Sequence, residues 1–315
     1  LPAADAFSSL TRRLTTISTI PKRLNEIIPG YVKVRLRPDQ TKAIFNVRRR
    51  EGRVIIPGLE KAVLRSRVYK SDWTIWKLPP GQEPRQAAKD LMARRSVSYA
   101  EPLNKIYPLM PDPNDADFSV IENGPPMVIL GEDQEFRRLW YLDDVSAIEA
   151  WTDYPGIWSD YTEKTGTEPT IAIIDTGLDM THPDYDNGGG DTDILNGGQI
   201  DFARGGYFTF GEYATDPMED TLGHGTHVAG LALASGNNGP SYEGRGMIGI
   251  GHNSQGMILR VFDDTGNGSD ADAAGAIYFA TDNGADIINM SLGTTSYSQL
   301  FQDAVTYAWQ KGVLV

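Results

Sequence analysis

Eight residues near the middle of the chain limit its fold more than any others: Thr170-Ile171-Ala172-Ile173-Ile174-Asp175-Thr176-Gly177. An unbroken apolar run at 171–174 describes a strand covered on both faces, the condition met in parallel sheets flanked by helices. The run ends in a carboxylate and a glycine turn, where functional side chains collect at the carboxyl ends of parallel strands. From here on strand-like and helix-like stretches alternate. Strands are predicted at 170–174, 257–262, 287–290 and 313–315, and helices at 224–234, 271–283 and 297–311. The predicted class is α/β, a parallel sheet with helices on both faces. Between Asp184 and Gly223 runs a Gly/Asp-rich excursion better suited to surface loops and ion sites than to core.

The first hundred residues read differently. Val32, Val34 and Leu36 alternate with Lys33, Arg35 and Arg37, the pattern of a half-buried strand. Further strands are predicted at 43–47, 54–56, 73–78 and 97–100. A short helical stretch is predicted at 57–65, and a second helix opens at Pro84 with Ala87, Ala88, Leu91 and Met92 on one face. Strands with helices on one face make a small α+β domain with an antiparallel sheet. Residues 108–136 carry Pro108, Pro111, Pro113, Pro125 and Pro126 among Asp, Asn and Gly, a linker composition.

Charge divides the chain at the same place. Residues 1–110 hold 22 Lys+Arg against 9 Asp+Glu, and residues 111–315 hold 7 against 33, within a net charge of −13. Two parts so charged attract one another, and the acidic part is no nucleic-acid surface. The absence of cysteine excludes a disulfide framework, a thiolate nucleophile and a Cys-based zinc site. No apolar run approaches the ~18 residues of a membrane-spanning helix, and residues 1–14 lack the layout of a signal peptide.

Asp175 admits two readings: a turn cap, or a carboxylate held for a histidine. His224, in Gly223-His224-Gly225-Thr226-His227-Val228-Ala229-Gly230, opens a predicted helix among small residues. Zinc is the competing chemistry, since His224 and His227 could share a helical face. The HExxH arrangement is absent, however, and no third ligand is evident. His182 and His252 are lone histidines in loops, read as structural.

Four motifs taken together, Ile173-Ile174-Asp175-Thr176-Gly177, His182-Pro183-Asp184, His224-Gly225-Thr226-His227-Val228-Ala229-Gly230 and Asn289-Met290-Ser291-Leu292-Gly293, resemble those of the subtilisin-like serine proteases, the subtilases. The resemblance runs through 139–315 and implies a secreted endopeptidase acting on polypeptides, with no nucleic-acid or membrane partner. It implies Asp175 and His224 as two members of an Asp-His-Ser triad, with His227 packed structurally beneath them. Gly266, Asn267 and Gly268 would form one edge of a substrate cleft and Ser291, Leu292 and Gly293 the other, so that an extended peptide pairs between them. Calcium is the implied cofactor. Asp184 matches a family ligand position, Asn237 and Asn238 could add oxygens, and Asp186, Asp191 and Asp193 are further hard-oxygen candidates.

The N-terminal part resembles a subtilase propeptide, a ferredoxin-like α+β domain bound intramolecularly as folding chaperone and inhibitor. The implied organisation is a leader segment at 1–29, a propeptide at 30–107, a linker with the maturation junction at 108–138, and the first portion of the catalytic domain at 139–315. The family's oxyanion-hole Ala-Gly-Asn motif and nucleophile-bearing Gly-Thr-Ser motif are absent from the 315 residues. The expectation is a precursor truncated before its nucleophile and inactive as it stands. One half of a nicked enzyme and a non-catalytic peptide-binding pseudoprotease are the alternatives.

Overall fold

The computed structural model describes residues 27–38, 58–109, 142, 145–147, 149–150, 168–182, 185, 194–203, 220–234, 248–252 and 254–315. Its N-terminal unit is built from β1 (Ile27–Leu36), β2 (Val63–Arg67), β3 (Trp73–Lys77), helix α1 (Pro84–Met92) and β4 (Val97–Pro108). The strands form an antiparallel sheet in the order β4-β1-β3-β2. On one face Val32, Val34, Leu36, Trp76 and Leu78 pack with Ala87, Ala88 and Leu91 of α1. Proline at the first helical position and the Glu83 carboxylate, which accepts from the Gln86 N–H at 2.9 Å, start α1.

Three expectations change here. Residues 58–62 make a turn and 63–67 a strand paired with β3, where the sequence suggests a helix; a bulge between Leu64 and Ser66 breaks the alternation that would have marked the strand. Met92 is 47% exposed, so it does not belong to the packed face of α1. Nor is β1 half-solvated, because Lys33 is completely buried. The predicted strands at 43–47 and 54–56 lie outside the described residues.

The C-terminal unit comprises β5 (Thr170–Asp175), β6 (Ile194–Asp201), α2 (His224–Leu233), β7 (Gln255–Arg260), β8 (Gly268–Ser269), α3 (Asp270–Asp282), β9 (Ile287–Asn289), β10 (Leu292–Gly293) and α4 (Gln299–Gln310). A parallel sheet runs β6-β7-β5-β9, with every residue of β5 buried, as the apolar run requires. One face, through Ile171, Ile173 and Ile258, packs on Ala229 and Leu233 of α2. The other, through Ala172, Ile174, Met257 and Leu259, packs on α3 and α4.

Strand β6 falls inside the stretch read as surface loop; Gly197 and Gly198 interrupt its pattern and hide it. The predicted strand at 313–315 reduces to a single bridge between Leu314 and Ile287. Helix α4 starts two residues late, because Ser298 turns its hydroxyl to the Phe301 N–H and caps it.

Helix α3 is buried almost all round, with Ala271, Ala273, Ala274, Ala276 and Ala280 on every side. A helix apolar on all faces must be sandwiched. The same core cluster takes Val68, Trp73, Ile75, Leu103 and Ile106 from the second face of the N-terminal sheet. Each such side chain withdrawn from water contributes about 2 kcal/mol, so the two units share one core. Ion pairs stitch them in the sense the charge division predicts, N-terminal cations on C-terminal carboxylates: Lys33 with Asp270, Arg35 with Asp303 at 2.5 Å, Lys70 with Asp282 at 2.9 Å. Among the described residues no helix is long and apolar enough to cross a membrane.

Candidate active site

Asp175 ends β5 and His224 begins α2, and the fold brings them together across 49 positions of sequence. The His224 Nδ1 lies 2.6 Å from Asp175 Oδ1, which also accepts the Thr176 N–H at 2.7 Å. Asp175 is 1% exposed. A carboxylate can only accept, so Nδ1 carries a hydrogen and the ring is fixed with Nε2 pointing away from the aspartate. Burial alone would depress the pKa of His224. The hydrogen bond and charge of Asp175, aided by the Leu109 carbonyl and Asp220, outweigh it and hold the imidazole above its ordinary value.

Helix α2 is clamped at both ends. At its start the Asp220 carboxylate accepts from the Thr226 N–H and hydroxyl, both at 2.8 Å, and from the Thr176 hydroxyl at 2.9 Å. Asp220 thereby ties the His224 helix to the Asp175 turn. At its end the carbonyls of Leu231, Ala232 and Ala234 accept N–H groups of Ile250, Gly251 and Gly249. Sequence reasoning missed Asp220, because it stands four positions before the helix's first residue, outside the N-cap and first-turn positions that mark a helix start.

Gly225 is where helix and turn touch. Its N–H donates to the Thr176 hydroxyl at 2.7 Å, and a Cβ there would collide with the Gly177 carbonyl oxygen and stand 2.9 Å from the Gly177 nitrogen. Both obstacles are backbone and cannot rotate away. Gly225→Ala is expected to cost about 3 kcal/mol or more, read as a lowered Tm, with His224 displaced from Asp175.

The cleft residues also converge. Gly268 and Ser269 pair antiparallel with Ile106 and Lys105 of β4, while Gly293 and Leu292 pair with Tyr107 and Pro108. The N-terminal half of β4 belongs to its own sheet; its C-terminal half leaves that sheet and lies between two edges of the other unit. Gly266, at φ 77°, and Asn267 form the turn behind the first edge, closed by the Asp263 carboxylate on the Thr265 and Asn267 N–H groups at 2.9 Å. Ser291 accepts the Leu109 N–H on its carbonyl at 2.9 Å, and the Leu109 carbonyl oxygen stands 3.2 Å from His224 Nε2. Since a carbonyl only accepts, that last contact is a hydrogen bond when both ring nitrogens carry hydrogen, which agrees with the raised pKa.

His227 is exposed, not packed beneath the pair; Ala229, Leu233 and their neighbours are the residues of α2 that face the sheet. His252 is buried, and the His182 ring packs against Tyr185. The calcium candidates Asp184, Asn237, Asn238, Asp186, Asp191 and Asp193 lie outside the described residues. Among the described residues no three His, Asp or Glu side chains gather as a metal site.

Residues 166–315 match the profile of the subtilase family, peptidase S8. A thermophilic serine proteinase of Bacillus sp. (strain AK1) is 35% identical over 219 residues, 70% of this chain and 43% of the relative. Fervidolysin of Fervidobacterium pennivorans is 29% identical over 236 residues, 71% and 30% of the two chains. Thermitase of Thermoactinomyces vulgaris is 35% identical over 161 residues, 51% and 49%. The chain therefore spans less than half the length of each of these relatives. Among solved structures, the crystal structure of fervidolysin superposes with a TM-score of 0.55 at 23% identity, covering 92% of this chain and 40% of that one. That of the epidermin leader peptide processing serine protease of Staphylococcus aureus (S393A mutant) gives 0.55 at 19%, covering 92% and 60%. At these identities the two superpositions establish the fold.

Proposed function

Because residues 166–315 form a subtilase-family domain, we propose that this chain is the N-terminal part of a secreted serine endopeptidase precursor, holding the Asp and His of an Asp-His-Ser triad. One observation carries the reading: Asp175, His224 and the carbonyl of a strand paired between two edges form a continuous line, 2.6 Å and 3.2 Å per step. Asp175 orients the imidazole and stabilises its protonated form. Neutral His224 takes the proton of a serine hydroxyl as that oxygen adds to a peptide carbonyl, then passes it to the leaving amide nitrogen; water repeats the cycle on the ester. The hydroxyl comes from a Gly-Thr-Ser motif in sequence other than these 315 residues. Gly266 to Gly268 and Ser291 to Gly293 hold the backbone of the substrate by added-strand pairing, and the glycines at 266, 268 and 293 let that backbone approach.

The antiparallel unit acts as a propeptide across 30–107, bound to its own catalytic domain, with the junction in 108–138. The placement of β4 in the cleft supports this. Calcium would serve as a structural ion held by Asp184, Asn237 and Asn238, oxygen donors of the type it takes. Chelation with EDTA should then lower the Tm of the full-length protein; an unchanged Tm removes calcium from the proposal.

A serine-directed fluorophosphonate probe tests the central claim. The full-length protein should label after maturation, and residues 1–315 alone should not. A matured full-length protein that refuses the probe overturns the reading in favour of a non-catalytic peptide-binding protein.

A further inference from the structure

Resting on the protease reading, we infer that the protein cuts its own chain immediately after Leu109. The carbonyl that faces His224 Nε2 at 3.2 Å is that of Leu109, and the N–H of the same residue is held by the Ser291 carbonyl at 2.9 Å. One residue is thus fixed on both sides of its α-carbon, with its carbonyl oxygen within hydrogen-bond reach of the His224 imidazole.

The register leading to it is pinned. Val97, Tyr99, Ala100, Glu101 and Pro102 are paired with β1, and 105–108 with β8 and β10. Antiparallel pairs alternate between hydrogen-bonded and non-hydrogen-bonded positions. Leu109 bonds to Ser291, so Tyr107 opposite Gly293 is again a bonded position and Pro108 opposite Leu292 is not. Proline therefore stands where its missing N–H costs nothing. Three residues before the cut Ile106 is 1% exposed and packs against Gly268, where a Cβ would approach it to 2.9 Å. A slip of one residue would drive Lys105 or Tyr107 into that space and reverse every side chain of the strand. The Leu109 side chain itself is 43% exposed and lies by Gly293.

In the step, a serine oxygen of the full-length protein bonds to the Leu109 carbonyl carbon and its proton passes through His224 to the nitrogen of the following residue. The C–N bond breaks, and water then releases the ester as the Leu109 carboxylate and regenerates the serine.

Intact mass and N-terminal sequencing of the matured full-length protein test this. The expected products are one fragment ending at Leu109 and one beginning at Met110. Leu109→Asp should slow formation of that pair at least about tenfold, the scale of a lost apolar contact at the cleft, while Leu109→Met processes at close to the parent rate. The Tm of both variants should match the parent, because Leu109 is outside the core. Cleavage that depends on His224 but falls at another bond, or Leu109→Asp processed at the parent rate, overturns the inference and leaves the protease reading standing. Absence of any His224-dependent cleavage overturns both.

Discussion

Full-length protein carrying His224→Ala should accumulate unprocessed and lose endopeptidase activity by about 10⁶-fold, because triad members act as a unit and removal of the base leaves the nucleophile protonated. The Asp175–His224 contact is 2.6 Å, and Nε2 faces the cleft. The parent protein should show the complementary pH behaviour. The base works only as neutral imidazole, and its pKa is held above the ordinary 6.5. Processing should therefore be suppressed below pH 6.5 and rise as pH climbs through the raised value, read as the rate of fragment appearance. Folding stability runs the other way. The protonated imidazole contributes fully below 6.5, and its contribution is lost as pH rises through the folded-state pKa. Processing of His224→Ala at the parent rate in a purified sample would sink the assignment of His224 as the base.

How much of this was legible beforehand follows the range of the interactions. The apolar run ending in Asp175 announced a buried strand with its carboxylate at the carboxyl end, and the alternation after it announced a parallel sheet; both are local patterns. The motif residues at 175, 224, 266–268 and 291–293 could be named in advance, and the fold places them in one cleft. Lys33 could not be read, since its alternation with Val32 and Val34 is that of a solvated face and only the docking of α3 and α4 buries it. Strand β6 was hidden by Gly197 and Gly198, and β2 by a turn mistaken for a helix start. The resemblance implies a packed role for His227 that the orientation of α2 denies it, since the residue is exposed. Nor did the proline-rich composition from Pro108 onward show that β4 runs on to that residue, because Pro108 occupies a ladder position that needs no N–H.

The second large effect lies at the junction of the two units. Lys33 Nζ, without solvent exposure, meets the carboxylates of Asp270 and of Glu101, the latter at 3.0 Å, and the Ser298 hydroxyl at 2.9 Å, using all three of its donors. Asp270 also accepts the Asn104 N–H at 3.3 Å and its side-chain amide at 3.1 Å. Glu101 accepts the N–H groups of Gln299 and Leu300 at 3.2 and 3.1 Å. Two carboxylates against one ammonium leave a negative charge, and it faces the N-termini of α3 and α4, whose dipoles favour it. Every member is satisfied, so removing one strands the others away from water. Asp270→Ala, or Lys33→Met alone, should destabilise the protein by about 3–5 kcal/mol, the usual cost of breaking a buried pair. The measurement is urea unfolding of full-length protein in the His224→Ala background, which keeps the two units on one chain. Lys33→Met combined with Asp270→Leu and Glu101→Gln should recover part of the loss, since it removes the ammonium together with both of its carboxylates and leaves no orphaned charge. Burial pushes the neighbouring Asp272 carboxyl up to about 7, so the folded protein holds a proton there that the unfolded chain releases near pH 4. That contribution is complete at acid pH and is lost by pH 7; Asp272→Asn should flatten the decline of stability between those limits. If Lys33→Met costs less than about 1 kcal/mol, the value of an exposed pair, water reaches the network and the junction is held by its apolar core alone.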